Sequence, residues 1–140
     1  MRLAFFLSLA ASASADIIYL ADCFSTRKGT SFLFSGAIFY TGGGAGSGEL
    51  NPSTSNIGIG QQPWQSGSSQ NFAVFPDTRE LLVINGPLKT PPAPVGTFAG
   101  TASNAQGTFN CRLDLQTQSV LFNNGFITCF RDYYCQPVGI

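Results

Sequence analysis

Between residues 108 and 115 every second side chain is apolar. Phe109, Cys111, Leu113 and Leu115 share one parity, and Thr108, Asn110, Arg112 and Asp114 share the other. A period of two marks a half-buried strand, because successive side chains of an extended chain point to opposite faces. The same reading extends along the chain. Residues 17–24, 31–40, 70–75 and 79–84 are rich in Phe, Ile, Val and Tyr, which suit a pleated surface. Residues 120–122 and 126–130 flank Asn123-Asn124-Gly125, and Asn-Gly between apolar runs predicts a hairpin. Pro76-Asp77 reads as a turn, and Asn85-Gly86-Pro87 closes the strand before it. No stretch beyond the leader has a sustained helical period with caps. One short helical turn around residues 24–29 would fit.

Two segments break the pattern. Residues 41–69 are dominated by Gly, Ser, Asn and Gln, and residues 85–107 carry four prolines and several glycines. Both read as long surface loops, either functional or plain connectors. The expectation is therefore an all-β fold: a single antiparallel β-sandwich or small β-barrel of about six to eight strands, with two long Gly/Ser/Pro-rich loops. Its core would draw on Ile18, Leu20, Phe32, Phe34, Ile38, Phe72, Val74, Leu82, Ile84, Phe109, Leu113, Leu121 and Ile127.

The first fifteen residues read as a secretory signal peptide. Arg2 supplies the positive start, residues 3–11 are apolar except for Ser8, and Ala13-Ser14-Ala15 forms a small-x-small cleavage pattern. The apolar run is far short of the roughly 20 residues that span a bilayer. The expected division is a leader over 1–15 and one domain over 16–140, secreted and extracellular, with no membrane anchor. Cys23, Cys111, Cys129 and Cys135 then read as two disulfides. Cys129 and Cys135 share a parity, so on an unbroken strand they point the same way about 20 Å apart. Each would then pair with Cys23 or Cys111, a reading that a turn at Asp132 would void, and the pairing stays open.

Composition removes several chemistries. The chain has no histidine, which excludes Ser-His-Asp and Cys-His catalysis and the usual catalytic zinc sites. Without Arg2, six basic side chains face seven acidic ones, too balanced for a nucleic-acid partner. No asparagine lies in an N-glycosylation acceptor; Asn51 is followed by Pro52. The glycines at 42–48 lack the Lys and Ser/Thr of a phosphate loop. Carboxylates are Asp16, Asp22, Glu49, Asp77, Glu80, Asp114 and Asp132. Most sit in a turn or beside a basic residue, as Asp132 does after Arg131, so surface solvation or a weak ion pair is the default. A glycosidase would need two of them about 5 to 10 Å apart. Trp64, among Gln and Pro, reads as a platform for a sugar ring or partner, or as a side chain folded back over the end of a barrel. Tyr133 and Tyr134 are adjacent on a strand, so one packs inward and one faces out, with Arg131 sharing the parity of Tyr133.

Three pieces carry a resemblance: Tyr19-Leu20-Ala21-Asp22-Cys23 after the leader, Phe109-Asn110-Cys111-Arg112-Leu113-Asp114, and Cys129 with Tyr133-Tyr134-Cys135 near the end. Together they resemble small secreted cysteine-containing proteins of filamentous fungi, from which plant-pathogen effectors and elicitors are drawn. The resemblance covers both ends of the chain and not the middle. Many members carry a further central cysteine pair, which this chain lacks. It implies a secreted β-rich protein that binds a host target and modulates or triggers plant defence, often without enzymatic activity. The resulting expectation is a non-enzymatic effector, probing a host protein or cell-wall glycan as a monomer, with no cofactor and no metal. Its contact residues would be Trp64, Tyr133 and Tyr134. The alternatives are an extracellular carbohydrate-binding module using Trp64 and a hydrolase with a carboxylate pair.

Overall fold

The computed structural model describes residues 17–26, 32–40, 57–60, 63–65, 71–75, 79–114, 120–123 and 125–138. The expected leader lies outside them. Nine strands follow in chain order: β1 (Ile17–Ser25), β2 (Phe32–Tyr40), β3 (Ile57–Gly60), β4 (Asn71–Val74), β5 (Leu81–Ile84), β6 (Phe98–Asn104), β7 (Gly107–Leu113), β8 (Val120–Asn123) and β9 (Ile127–Pro137). Every pairing is antiparallel, and no helix occurs among the described residues. Strands β1 to β7 pair in sequence order, β7 pairs with β9, and β9 returns to β1. The all-β expectation thus resolves into an eight-stranded closed barrel, with β8 attached to β9 beside the ring. Closure leaves the ring without an unpaired strand edge.

The two segments expected to be loops each hold a strand. In β3, Ile57 and Ile59 alternate with Gly58 and Gly60. The glycines make room for aromatics: a Cβ at Gly60 would stand 2.8 Å from Trp64, and one at Gly58 would stand 3.0 Å from Phe75. In β6 the buried positions are Ala99 and Ala102, and the pairing with β7 shifts register between Phe98 and Gly100. Small residues that look like loop composition are here the thin wall opposite bulky side chains. The same trade explains the predicted core. Ile18, Leu20, Ile38, Leu82, Ile84, Phe109, Leu113 and Leu121 are buried as expected. Phe34, Phe72, Val74 and Ile127 are only half-buried, while Ala37 and Ala73 are sealed inside. The side chain of Phe32 lies outside the described residues. Trp64 and Tyr133 fill the space that larger residues on β2 and β4 would need.

Both faces of the β1–β9 seam are apolar. Ile18, Leu20, Phe109, Leu113, Tyr133 and Cys135 belong to the core inside the barrel. Tyr19, Ala21, Cys23, Ile38, Ile57, Leu121 and Cys129 form a second buried cluster on the other face. Each cluster contains one disulfide: Cys111–Cys135 inside and Cys23–Cys129 outside. The pairing obeys the rule that each late cysteine bonds to Cys23 or Cys111, but the premise fails. Cys129 and Cys135 face opposite ways because the β1–β9 register shifts by one residue between Leu20 and Ala21. Tyr133 opposes Leu20 and Arg131 opposes Ala21, so Asp132 is an extra residue, a β-bulge that reverses side-chain parity along β9.

Candidate functional site at the barrel mouth

The bulge decides where three neighbouring side chains go. Tyr133 points into the barrel, fully buried, and its hydroxyl donates to the Lys89 carbonyl at 2.9 Å. Burial, the dominant cause, and the charges of Asp132 and Asp22 raise its pKa, against a lowering hydrogen bond with Gln65. Arg131 lies on the opposite face. Its guanidinium stacks 5.2 Å from the Tyr19 ring centroid, and its Nε donates to Asp114 Oδ2 at 2.8 Å. The shared parity expected for Arg131 and Tyr133 is therefore corrected by the same bulge. Nor does Arg131 pair with its neighbour Asp132. Asp132 is buried, and its Oδ2 has no hydrogen-bond partner among the described residues.

The group that Asp132 meets is Asp22. Burial above all, and then the like charge of Asp22, push the Asp132 carboxyl up to about 8; the backbone amide of Asp22 opposes this. The chemistry follows from the geometry. Ionised, Oδ2 has no donor. Protonated, it can donate to the Asp22 side chain, a hydrogen bond that also raises the Asp132 pKa.

Asp22 is exposed and opens onto a groove of about 560 Å³. Leu33, Phe34 and Pro63 form apolar parts of its lining, and Ser35 and Gln65 polar ones. Trp64 sits between Pro63 and Gln65, wholly buried, with its Nε1 donating to the Ala21 carbonyl at 3.1 Å. Asn71 holds the same turn by donating to the Pro63 carbonyl at 2.9 Å. Beside the groove the strand ends form an apolar ledge. Asp22 opposes Phe130 on β9 and Ser35 on β2, while Phe24 opposes Leu33 and Thr128. The ladder continues to Thr26, whose amide donates to Phe126. Phe24, Leu33, Phe126 and Phe130 thus share the face of Asp22. Leu33 is 80% exposed and Phe126 63% exposed.

Trp64 and Tyr133, candidate contact residues, are core residues: Trp64 is folded back into the barrel and Tyr133 is the tyrosine that packs inward, the other readings the sequence allowed. Tyr134 is half-buried against the second cluster. The sequence reading missed the Asp22–Asp132 pair because it took Asp132, beside Arg131, as a solvated surface carboxylate or a weak ion pair. A signal was present: two adjacent charges interrupt an otherwise mostly apolar strand of 11 residues, where a bulge can send them to different faces. Among the described residues no group of three or more Cys, Asp or Glu side chains is placed to hold a metal ion.

The fold and site define a disulfide-stapled, closed antiparallel β-barrel with a carboxyl pair and an apolar ledge at its mouth. No family model matches the chain, and neither a curated protein nor a solved structure does.

Proposed function

We propose that this is a secreted, non-enzymatic recognition protein of the effector or elicitor kind, which binds a host-plant protein through the mouth of its barrel. One observation carries the reading: Leu33, Phe126 and Phe130 lie exposed on one face beside an open groove. Clustered exposed apolar residues next to a polar groove are the usual make-up of a protein-binding surface. Two disulfides support an oxidising, extracellular setting. Burial of Trp64 weighs against the sugar-platform alternative.

The test is infiltration of purified, disulfide-bonded protein into plant leaves, beside a Leu33→Asp/Phe126→Asp variant. Cell death or defence induction by the parent, with an about tenfold or larger dose needed for the variant, is the expected result. No response to the parent at any dose contradicts the reading.

A further inference from the structure

We propose that the groove at the barrel mouth binds a neutral saccharide, held by Asp22, Ser35 and Gln65 against Leu33, Phe34 and Pro63. The inference goes beyond the protein-binding reading above, since it stands on the groove and not on the exposed ledge. The groove's volume of about 560 Å³ is that of a small-ligand site. Its lining offers each kind of group that a sugar needs. The Asp22 carboxylate can accept from two hydroxyls at once, and Ser35 and Gln65 can each donate and accept. Leu33, Phe34 and Pro63 supply apolar surface for the C–H faces of a ring. Among the described lining residues none carries a positive charge, so an acidic ligand would meet Asp22 unopposed.

The core holds these polar groups from behind. Buried Asp132 hydrogen-bonds the Asp22 side chain. Gln65 hydrogen-bonds the side chain of buried Tyr133. The turn that carries Gln65 is fixed as well: Trp64 Nε1 donates to the Ala21 carbonyl at 3.1 Å, and Asn71 donates to the Pro63 carbonyl at 2.9 Å. Gly60 lines the groove, and a Cβ there would stand 2.8 Å from the Trp64 ring, so the ring backs the groove wall. Burying Asp132 against another acid costs stability, and what it secures is the placement of Asp22. Side chains fixed before the ligand arrives lose little freedom on binding.

The test is titration of the nitrogen-15-labelled, disulfide-bonded protein with cellobiose, xylobiose and mannobiose, followed by amide NMR. The first two stand for wall polysaccharide and the third for a protein-linked glycan. Saturable shifts at Ser35, Gly60, Gln65 and the Trp64 indole with at least one of the three are the expected result. Glucuronic acid should give none. Asp22→Asn, at an exposed position, should weaken binding about tenfold or more. Asp132→Asn, which can still donate to Asp22, should keep the binding, and Asp132→Leu should weaken it, with circular dichroism checking that the barrel persists. No saturable shift with any of the three sugars, equal shifts with glucuronic acid, or unchanged binding by Asp22→Asn would each overturn the assignment. A leaf response without sugar binding overturns this inference alone; sugar binding without a leaf response overturns only the effector reading.

Discussion

Arg131 and Asp132 are neighbours in sequence, yet the protein treats them as members of two different regions. On the outer face Arg131 meets a buried carboxylate, Asp114, and stacks on Tyr19. On the other side of the bulge Asp132 is buried against a second carboxyl, Asp22. The backbones of the two regions are joined, since the Asp114 amide donates to the Asp132 carbonyl. One buried acid thus has its cation and the other has only a proton. A matched charge tells of a fold holding itself together. The other acid is closed off from solvent and meets a second acid in place of a cation.

Each region also has its own disulfide, and the largest predicted effect separates them. Cys23–Cys129 on the outer face joins residues 106 apart, whereas Cys111–Cys135 inside joins residues 24 apart. Loop-closure entropy assigns about 5 kcal/mol to the first and about 3 kcal/mol to the second. Urea unfolding of the two double Cys→Ala variants should rank them in that order; the reverse ranking would show that packing around the inner bridge outweighs chain entropy. Next in size is Arg131→Met. It leaves Asp114 buried without its partner and should lower stability by about 3 kcal/mol. A loss below about 0.5 kcal/mol would place this pair with ordinary surface salt bridges.

The remaining effect has a sign that distinguishes the two acids. Asp132 has a folded-state pKa of about 8, above the ordinary value of 3.8, so the folded protein holds the proton more tightly than the unfolded chain. Its contribution to stability is complete below pH 4, declines as pH rises, and is lost above about pH 8. Thermal melts of Asp132→Asn and the parent should therefore differ little at pH 4. At pH 9 the variant should melt higher. A variant that melts lower at pH 9 would mean that the ionised carboxylate has a donor after all.

Much of the barrel was legible from periodicity. Phe109, Cys111 and Leu113 alternate into the core as the pattern of residues 108–113 requires, and β8 pairs with β9 from Asn123 opposite Thr128, with Gly125 at φ 89° between them. Strands built from small residues were not legible, because β3 and β6 use Gly and Ala where Trp64, Phe75 and Leu88 press against them. Their composition matches that of a loop, and only the long-range packing makes them strands. The candidate site escaped for a related reason. Asp22 and Asp132 are brought together by pairing of the first and last strands, and parity counting along β9 fails at the one residue that matters. Gly36 shows the same dependence on distant chain: a Cβ there would stand 2.6 Å from Cys23 Sγ, so the outer disulfide needs a glycine one strand away.

The most direct test of the contrast between the two faces is the carbon-13 titration of the Asp132 side-chain carboxyl by NMR, assigned with Asp132→Asn. A midpoint near pH 8, moving toward the ordinary range when Asp22 is replaced by Asn, is the predicted result. A midpoint near 3.8, unchanged by Asp22→Asn, would contradict the buried carboxyl pair.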